Sequence, residues 1–326
     1  MPRPPAETHS MVVLDDYQAA AQSYADWSSL SPLPITFLRD PIPPANLIDT
    51  LKPYTIIHAM RERTPFPRAL LEQLPNLRLL TTTGLRNRGI DLEAAKELGI
   101  VVSGTGRPGG SLSTGTVEQT WALILALARR LRPEHDSVRS GGWQTGVAIG
   151  LAGKTLGLVG VGNLGTAVAT VAKAFGMRVK GWSPHLTHER AENAGVELAP
   201  SLEDLLETSD VVSIHIVSSD STRGLLGAKE LARLKSTAIL VNTSRGPIVD
   251  EKALLDLLER GAILGAGLDV FDQEPLLKDH PLRTLDNVVL SPHMGYVEDN
   301  SYSTWFPQTV ENVEAFLAGE PVRVLT

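Results

Sequence analysis

Leu156-Gly157-Leu158-Val159 runs directly into Gly160-Val161-Gly162-Asn163-Leu164-Gly165, and residues 167–175 then carry apolar side chains at helical spacing. A short apolar strand, a G-x-G-x-x-G turn and a helix follow in the order that gives each glycine a separate use. Gly160 allows the tight turn, Gly162 lets backbone approach a pyrophosphate, and Gly165 lets the helix pack on its strand. The free N–H groups and positive dipole end at the helix start suit phosphate oxygens. The same glycines out of context mark only a structural turn; flanked in this way they predict a bound dinucleotide.

Working outward, the pattern repeats on both sides. Downstream, apolar strands are expected at 156–159, 178–182, 211–216, 238–242, 265–268 and 288–290, with helical segments between them. Six strands in this alternation match a complete dinucleotide-binding domain. Upstream, strands are expected at 11–14, 56–57, 77–80 and 100–102, with helices at 67–73 and 92–98. Asp91 is the expected N-cap of the second helix and Gly99 its C′ residue. Strand–helix alternation in both halves implies parallel sheets with helices on both faces.

Residues 103–116 hold five glycines and one proline and read as a linker. A helix follows at about 117–131, then a second glycine-rich loop at 140–153, and residues 310–317 form a last helix. The expected division is 1–112 plus 297–326 for one domain and 113–296 for the dinucleotide-binding one. A length of 326 residues suits two domains.

The remaining composition mainly excludes. With 30 Lys and Arg against 37 Asp and Glu, the net charge is −7, which argues against a nucleic-acid partner. Arg129, Arg130 and Arg132 cluster at the expected end of a helix, where cations are favoured. There is no cysteine, so disulfides, thiolate nucleophiles and cysteine-held metals are excluded. No metal is expected. The N-terminal stretch from Met1 to Ser10 is polar and proline-rich without an apolar signal core, and the densest apolar run, 121–128, is too short to span a bilayer. The expectation is a soluble, cytoplasmic protein with no membrane partner.

Cofactor preference is read from the end of the second strand. An acid about 20 residues beyond the turn holds the ribose 2′-OH of NAD. Here the segment reads Val179-Lys180-Gly181-Trp182-Ser183-Pro184-His185, with Ser183 where the acid is expected and no carboxylate before Glu189. Losing that carboxylate removes repulsion against a 2′-phosphate, and His185, His188 and Arg190 offer donors or positive charge. The reading leans to NADP(H) over NAD(H).

Three polar segments stand at strand ends: Asn242-Thr243-Ser244-Arg245-Gly246, Asp269-Val270-Phe271-Asp272-Gln273-Glu274-Pro275 and Ser291-Pro292-His293. Open α/β sheets bind ligands at the carboxyl ends of their strands. Reduction of a 2-oxo acid needs a fixed cation for the carboxylate and a proton donor beside the carbonyl oxygen. Arg245 suits the first role through its planar fork. His293 suits the second because imidazole exchanges protons near neutral pH. Glu274 can accept from the other ring nitrogen and favour the protonated ring.

Together with Gly246-Pro247-Ile248-Val249-Asp250-Glu251-Lys252-Ala253-Leu254 and Val310-Glu311-Asn312, these segments resemble the D-isomer-specific 2-hydroxyacid dehydrogenase family, glyoxylate/hydroxypyruvate reductases and phosphoglycerate dehydrogenases among them. The resemblance runs from about residue 11 to the end and is densest over 150–295. It implies an α/β protein of two doubly wound parallel-sheet domains. One is a Rossmann NAD(P)-binding domain; the other is a smaller, flavodoxin-like substrate domain built from the N-terminal segment and the last helix. It implies reversible hydride transfer between NAD(P)H and C2 of a small 2-oxo acid. Arg245 would bind substrate, and His293 would be the acid/base paired with Glu274. Asp269 and Thr243 would contact the nicotinamide half, Asn163 and Leu164 the pyrophosphate, and the loop His215-Ile216-Val217-Ser218 the adenosine side. The helix near 117–131 would build a homodimer interface.

In the smaller domain, Thr82-Thr83-Gly84-Leu85-Arg86-Asn87 occupies the family's substrate loop, and backbone N–H groups near Leu85 and Arg86 would hold the substrate carboxylate. The family more commonly has glycine where Arg86 stands and aspartate where Arg88 stands. Arg61, in Met60-Arg61-Glu62-Arg63-Thr64, falls on another loop expected to face substrate. Trp121, Trp143, Tyr296 and Trp305 suit packing, pocket or dimer contact, and His58 and His215 are expected to be packed rather than catalytic. Two alternatives stay open at this point. A formate dehydrogenase of the same superfamily carries Gln where Glu274 stands, and an NAD(H)-sensing regulator like the corepressors on this fold retains the same residues.

Overall fold

Strands that bury both faces need helices on both sides, and such strands read as continuous apolar runs rather than alternating ones. Thr155–Val159, Val211–Ile214 and Ile239–Asn242 are buried at every position. The computed structural model describes residues 9–106 and 114–326. The stretch read for a signal core, the middle of the expected linker and the expected boundary between 112 and 113 lie outside the described residues, the first of these apart from His9 and Ser10. The chain divides into two units, Met1–Ser113 with Glu298–Thr326, and Thr114–Val297.

The first unit holds β1 (Met11–Val13), β2 (Ile35–Phe37), β3 (Ile56–Ala59), β4 (Leu79–Thr82) and β5 (Val101–Gly104) in one parallel sheet, ordered β2-β1-β3-β4-β5. This is the flavodoxin-like order. Asp91 caps the helix Leu92–Glu97 through a 2.9 Å bond from Ala94 N, and Gly99 leaves it at φ +70°. Two expectations are corrected. Strand β2 went unread, because its three residues, Ile-Thr-Phe, follow closely on Pro32 and Pro34. The last helix is Asp299–Leu317 rather than 310–317. Pro307 lies inside it, and the Glu298 carboxylate caps its start by accepting from Asn300 N and Ser301 N.

The second unit holds β6 (Thr155–Val159), β7 (Arg178–Trp182), β8 (Glu197–Leu198), β9 (Val211–Ile214), β10 (Ile239–Asn242), β11 (Gly265–Leu268) and β12 (Val288–Leu290). The order is β12-β11-β10-β9-β6-β7-β8, all parallel. This is the dinucleotide-binding order with one strand added at its far edge, and β8, of two residues, is the strand the six-strand reading lacked. Strand order reverses between β6 and β9, the place where such sheets open a ligand crevice.

The helix expected at 117–131 is Gly115–Ala128. Arg130, at φ 55°, turns the chain into a separate helix, Leu131–Arg139. Val117, Trp121, Leu123, Ile124 and Ala128 are buried in this unit's own core, with Trp121 against Phe175 at 4.9 Å between ring centroids. The apolar side chains left exposed nearby belong instead to Leu131, Val138, Trp143 and Val147. Among the described residues, no helix is long and apolar enough to cross a membrane, and no group of three His, Asp or Glu stands placed to hold a metal.

Candidate active site

The glycine turn joins β6 to the helix Asn163–Ala174. Gly160 has φ +104°, and a Cβ there would lie 2.5 Å from Ile216 N, so the turn and the loop after β9 pass too close for a side chain. A Cβ on Gly165 would lie 2.3 Å from Gly160 O; its absence brings the helix against its strand. At Gly162 a Cβ would meet nothing within 4 Å. Gly162 is the N-cap, no side chain caps this helix, and its carbonyl takes the first helical bond, from Thr166 N at 2.9 Å. The amides of Asn163, Leu164 and Gly165 are left as donors at the positive end of the helix, which fits a pyrophosphate.

Ser183 is the first residue beyond β7. His185 is exposed; its carbonyl accepts from Arg190 Nη1 at 3.1 Å, which draws the guanidinium back over the loop. His215 pairs with Ser213 through Nε2 and Oγ at 2.8 Å, and burial pushes its pKa down to about 4, so the ring is neutral. After it, Val217 is exposed and its carbonyl accepts from Thr222 Oγ1 at 2.8 Å, while Ser218 is half-buried.

Arg245, Glu274 and His293 lie on the loops after β10, β11 and β12, three neighbouring strands at one edge of the sheet. Contacts tie these loops in series. Ser244 Oγ donates to Ile216 O at 2.6 Å, joining the β9 and β10 loops. Asn242, wholly buried, accepts from Ser244 N at 3.0 Å and donates to Arg245 O at 2.9 Å. A Cβ on Gly246 would stand 2.1 Å from Phe271 C, so glycine is what lets the β10 and β11 loops meet. Glu274 Oε1 accepts from Phe271 N at 3.0 Å, and its Oε2 stands 2.6 Å from His293 Nδ1. Burial opposes ionisation of Glu274, but the bond and charge of His293, the Phe271 amide and the Arg245 charge outweigh it and hold the carboxyl below its usual range. With Nδ1 committed, Nε2 is the nitrogen left to act.

His293 sits in the left-handed region at φ 56°, an unfavourable place for a side chain that only surrounding bonds maintain. Asp269 supplies them: it accepts from Met294 N at 2.8 Å and Gly295 N at 2.9 Å, and also from the Ser291 hydroxyl. Burial pushes its carboxyl up against those bonds. Ser291 Oγ in turn accepts from Gln119 Nε2 at 2.7 Å, and Tyr296 packs edge-on to the His293 ring at 5.2 Å. Thr243 Oγ1 lies 2.8 Å from Thr120 Oγ1. Thr120 spends its proton on Thr116 O at 2.8 Å, so Thr243 is the donor between them and turns lone pairs to other partners.

In the smaller unit, Arg61 (φ 52°) donates from its amide to Thr83 Oγ1 at 2.9 Å and from Nη1 to Thr83 O at 3.1 Å, with its guanidinium 5.9 Å from the Trp305 ring. Asn87 Nδ2 donates to Arg61 O at 2.6 Å and Thr82 Oγ1 at 2.8 Å, clasping the loops after β3 and β4. Gly84, at φ +85°, would place a Cβ 2.0 Å from Arg61 Nη1. Leu85 and Arg86, beyond it, are exposed.

Sequence reasoning assigned no role to the Asn242 brace, and did not foresee the contacts of Asp269 with Met294 and Gly295. Asn two residues before a serine amide is a legible turn signal. The Asp269–Met294–Gly295 clamp has none, since its partners are 25 and 26 residues away.

The family described as D-isomer specific 2-hydroxyacid dehydrogenase, NAD binding domain, matches residues 121–295. A glyoxylate reductase of Aeropyrum pernix is 44% identical over 260 residues, covering 77% of this chain and 76% of the relative. A D-3-phosphoglycerate dehydrogenase of Methanocaldococcus jannaschii is 37% identical over 84% of this chain, which spans 52% of that longer protein. Among solved structures, a phosphoglycerate oxidoreductase from Vibrio cholerae superposes with a TM-score of 0.88 at 32% identity, over 96% of this chain and 99% of that one. With its uncapped glycine turn and its Glu–His pair one strand from an arginine, the chain belongs to the D-isomer-specific 2-hydroxyacid dehydrogenase family of nicotinamide-dependent oxidoreductases acting on CH–OH groups.

Proposed function

We propose that the protein reduces a small 2-oxo acid of the glyoxylate or hydroxypyruvate type to the D-2-hydroxy acid, reversibly, with His293 as proton donor. The observation that carries this is the 2.6 Å bond between Glu274 Oε2 and His293 Nδ1. An ionised Glu274 stabilises the imidazolium and orients it, so that Nε2 gives its proton to the carbonyl oxygen of the substrate. A reduced nicotinamide dinucleotide, with its pyrophosphate at the glycine turn, would supply the hydride to C2. Arg245 faces the developing oxyanion and carboxylate with a charge that also favours ionised Glu274. Leu85 and Arg86 hold the carboxylate through backbone amides, and Arg61 adds positive charge. In oxidation, His293 takes the hydroxyl proton back. Glu274 also separates this reading from a formate dehydrogenase, in which glutamine occupies its position.

The cofactor proposed is NADP(H) in preference to NAD(H), since Ser183, just beyond β7, offers no carboxylate and His185 nearby is exposed. Asn163, Leu164 and Gly165 hold the pyrophosphate; Val217 and Ser218 line the adenosine side; Thr243 and Asp269 adjoin the nicotinamide. A homodimer is proposed through the exposed apolar side chains of Leu131, Val138, Trp143 and Val147, of which Val147 is 94% exposed.

The test is loss of reduced-nicotinamide absorbance with NADPH or NADH against glyoxylate, hydroxypyruvate, pyruvate and bulkier 2-oxo acids. His293→Ala lowers kcat by at least about 10²-fold, and Arg245→Ala raises KM for the acid while nucleotide binding by fluorescence is kept. No turnover of any acid, or an undiminished His293→Ala, refutes the reading.

A further inference from the structure

Glu274 is carried on an exposed excursion, residues 272–279, that leaves β11 and rejoins the chain at the turn Pro281–Thr284. Most of its side chains are exposed, and Leu276 is its one apolar side chain packed against the core. A segment with so few apolar contacts opens easily unless polar bonds hold it. Yet the 2.6 Å bond to His293 demands placement within about 0.5 Å.

One carboxylate spans both ends of the excursion. Glu251 opens the helix Glu251–Glu259, whose capping is done by Asp250 through a 3.0 Å bond from Ala253 N. Glu251 is thereby released for other partners. Its Oε2 accepts from Asp272 N at 3.5 Å, where the excursion leaves, and its Oε1 stands 3.0 Å from His280 Nε2, where it returns. His280 Nδ1 accepts from Leu282 N at 3.3 Å, so the ring proton lies on Nε2 and is donated to Glu251. Arg283 closes the same bend, from Nε to Leu277 O at 2.7 Å and from Nη2 to Leu276 O at 2.6 Å. The titratable groups beside Glu251 are Asp250, Asp272 and the neutral His280 ring, and Arg223 acts on Asp272; burial, then the Glu251 and Asp250 charges, push the Asp272 carboxyl up, against Arg223. The side chains of Glu251 and His280 are only 27% and 15% exposed, so their hydrogen bond is sheltered from competing water.

We propose that Glu251 and His280 are positioning residues for proton transfer: their pair closes the excursion so that Glu274 reaches His293 Nδ1. This rests on the acid–base roles given above to Glu274 and His293. Neither residue touches substrate or cofactor; their effect passes through Glu274.

The test uses the full chain with the acid and nucleotide that turn over best, comparing Glu251→Ala, Glu251→Gln, His280→Gln and, as reference, Glu274→Gln. Expected for Glu251→Ala is a kcat about 10- to 100-fold lower, the scale of an ångström of misplacement, with nucleotide binding unchanged. The alkaline limb of its kcat/KM profile moves to lower pH, as in Glu274→Gln, because a protonated donor is harder to keep. Glu251→Gln, which retains an acceptor, recovers part of the loss, and Glu251→Ala on top of Glu274→Gln adds little. If Glu251→Ala folds and keeps the wild-type profile while Glu274→Gln shifts it, the positioning role is overturned. If Glu274→Gln leaves the profile in place, the acid–base assignment itself fails and the positioning role falls with it. Should Glu251→Ala not fold, His280→Gln is judged by the same profile.

Discussion

Replacing His58 by glutamine should make the smaller unit markedly less sensitive to acid. His58 is 0% exposed on β3, with Nδ1 2.9 Å from Thr81 Oγ1 and 3.4 Å from Thr309 Oγ1, and its ring 5.9 Å from Phe306. No carboxylate is among these partners, and burial pushes the pKa from 6.5 to about 3. Above pH 6.5 the ring is neutral in both folded and unfolded chains and adds no pH dependence. Below it the unfolded chain binds a proton that the folded one refuses, so stability falls as pH falls. The loss is about 1.4 kcal/mol per pH unit, down to the folded pKa. Between about pH 7.5 and about pH 5 the loss from this one ring comes to roughly 2 kcal/mol. Urea unfolding of wild type and His58→Gln at both pH values measures it. The carboxylates and His215 are common to both proteins and cancel in the difference. Wild type should lose about 2 kcal/mol more than the variant over this interval. Equal losses would mean that the ring takes up a proton in the folded state, and the reasoning from burial would be wrong.

Other outcomes follow from the larger unit. Gly165→Ala forces a Cβ to within 2.3 Å of Gly160 O; it should cost about 1–3 kcal/mol in thermal unfolding and weaken NAD(P)H binding in a fluorescence titration. Asp269→Asn keeps the shape but loses one of two amide acceptors for Met294 and Gly295. A cost of about 1–3 kcal/mol is expected, with kcat reduced more than nucleotide affinity, since His293 relaxes from its left-handed conformation. Ser183→Asp should lower the ratio of kcat/KM for NADPH over NADH by tenfold or more, about 1.4 kcal/mol; an unchanged ratio would place cofactor choice elsewhere.

Much of this was legible without coordinates where the physics is local. Asp91 and Gly99 bracket a helix because a cap and a left-handed exit need only a few residues. The glycine turn was readable for the same reason: backbone freedom at Gly160 and closeness at Gly165 are properties of one strand–turn–helix segment. Local reasoning failed where tertiary packing overrode it. Pro307 looks like a stop, yet the helix Asp299–Leu317 runs through it, buried along Tyr302, Phe306 and Val313. Strand β2 exists because Ile35, Thr36 and Phe37 pair with Met11, Val12 and Val13. The helix after the linker ends three residues early because Arg130 adopts a left-handed conformation that nothing in its neighbours demands.

By itself the sequence determined which groups are on offer: a glycine turn between a strand and a helix, an arginine, a glutamate and a histidine each just past a strand, and no acid at Ser183. Those are properties of side chains and short segments, so they survive without knowledge of neighbours. Only the tertiary structure decided which atoms meet. The order β12-β11-β10 brings the loops of Arg245, Glu274 and His293 side by side, sets Glu274 Oε2 against Nδ1, and turns Asp269 to the loop after β12. It also laid Glu251 across both ends of the segment that carries Glu274. Such contacts join residues 19 to 29 apart through strand order and loop packing, and neither is written in any one segment of the chain.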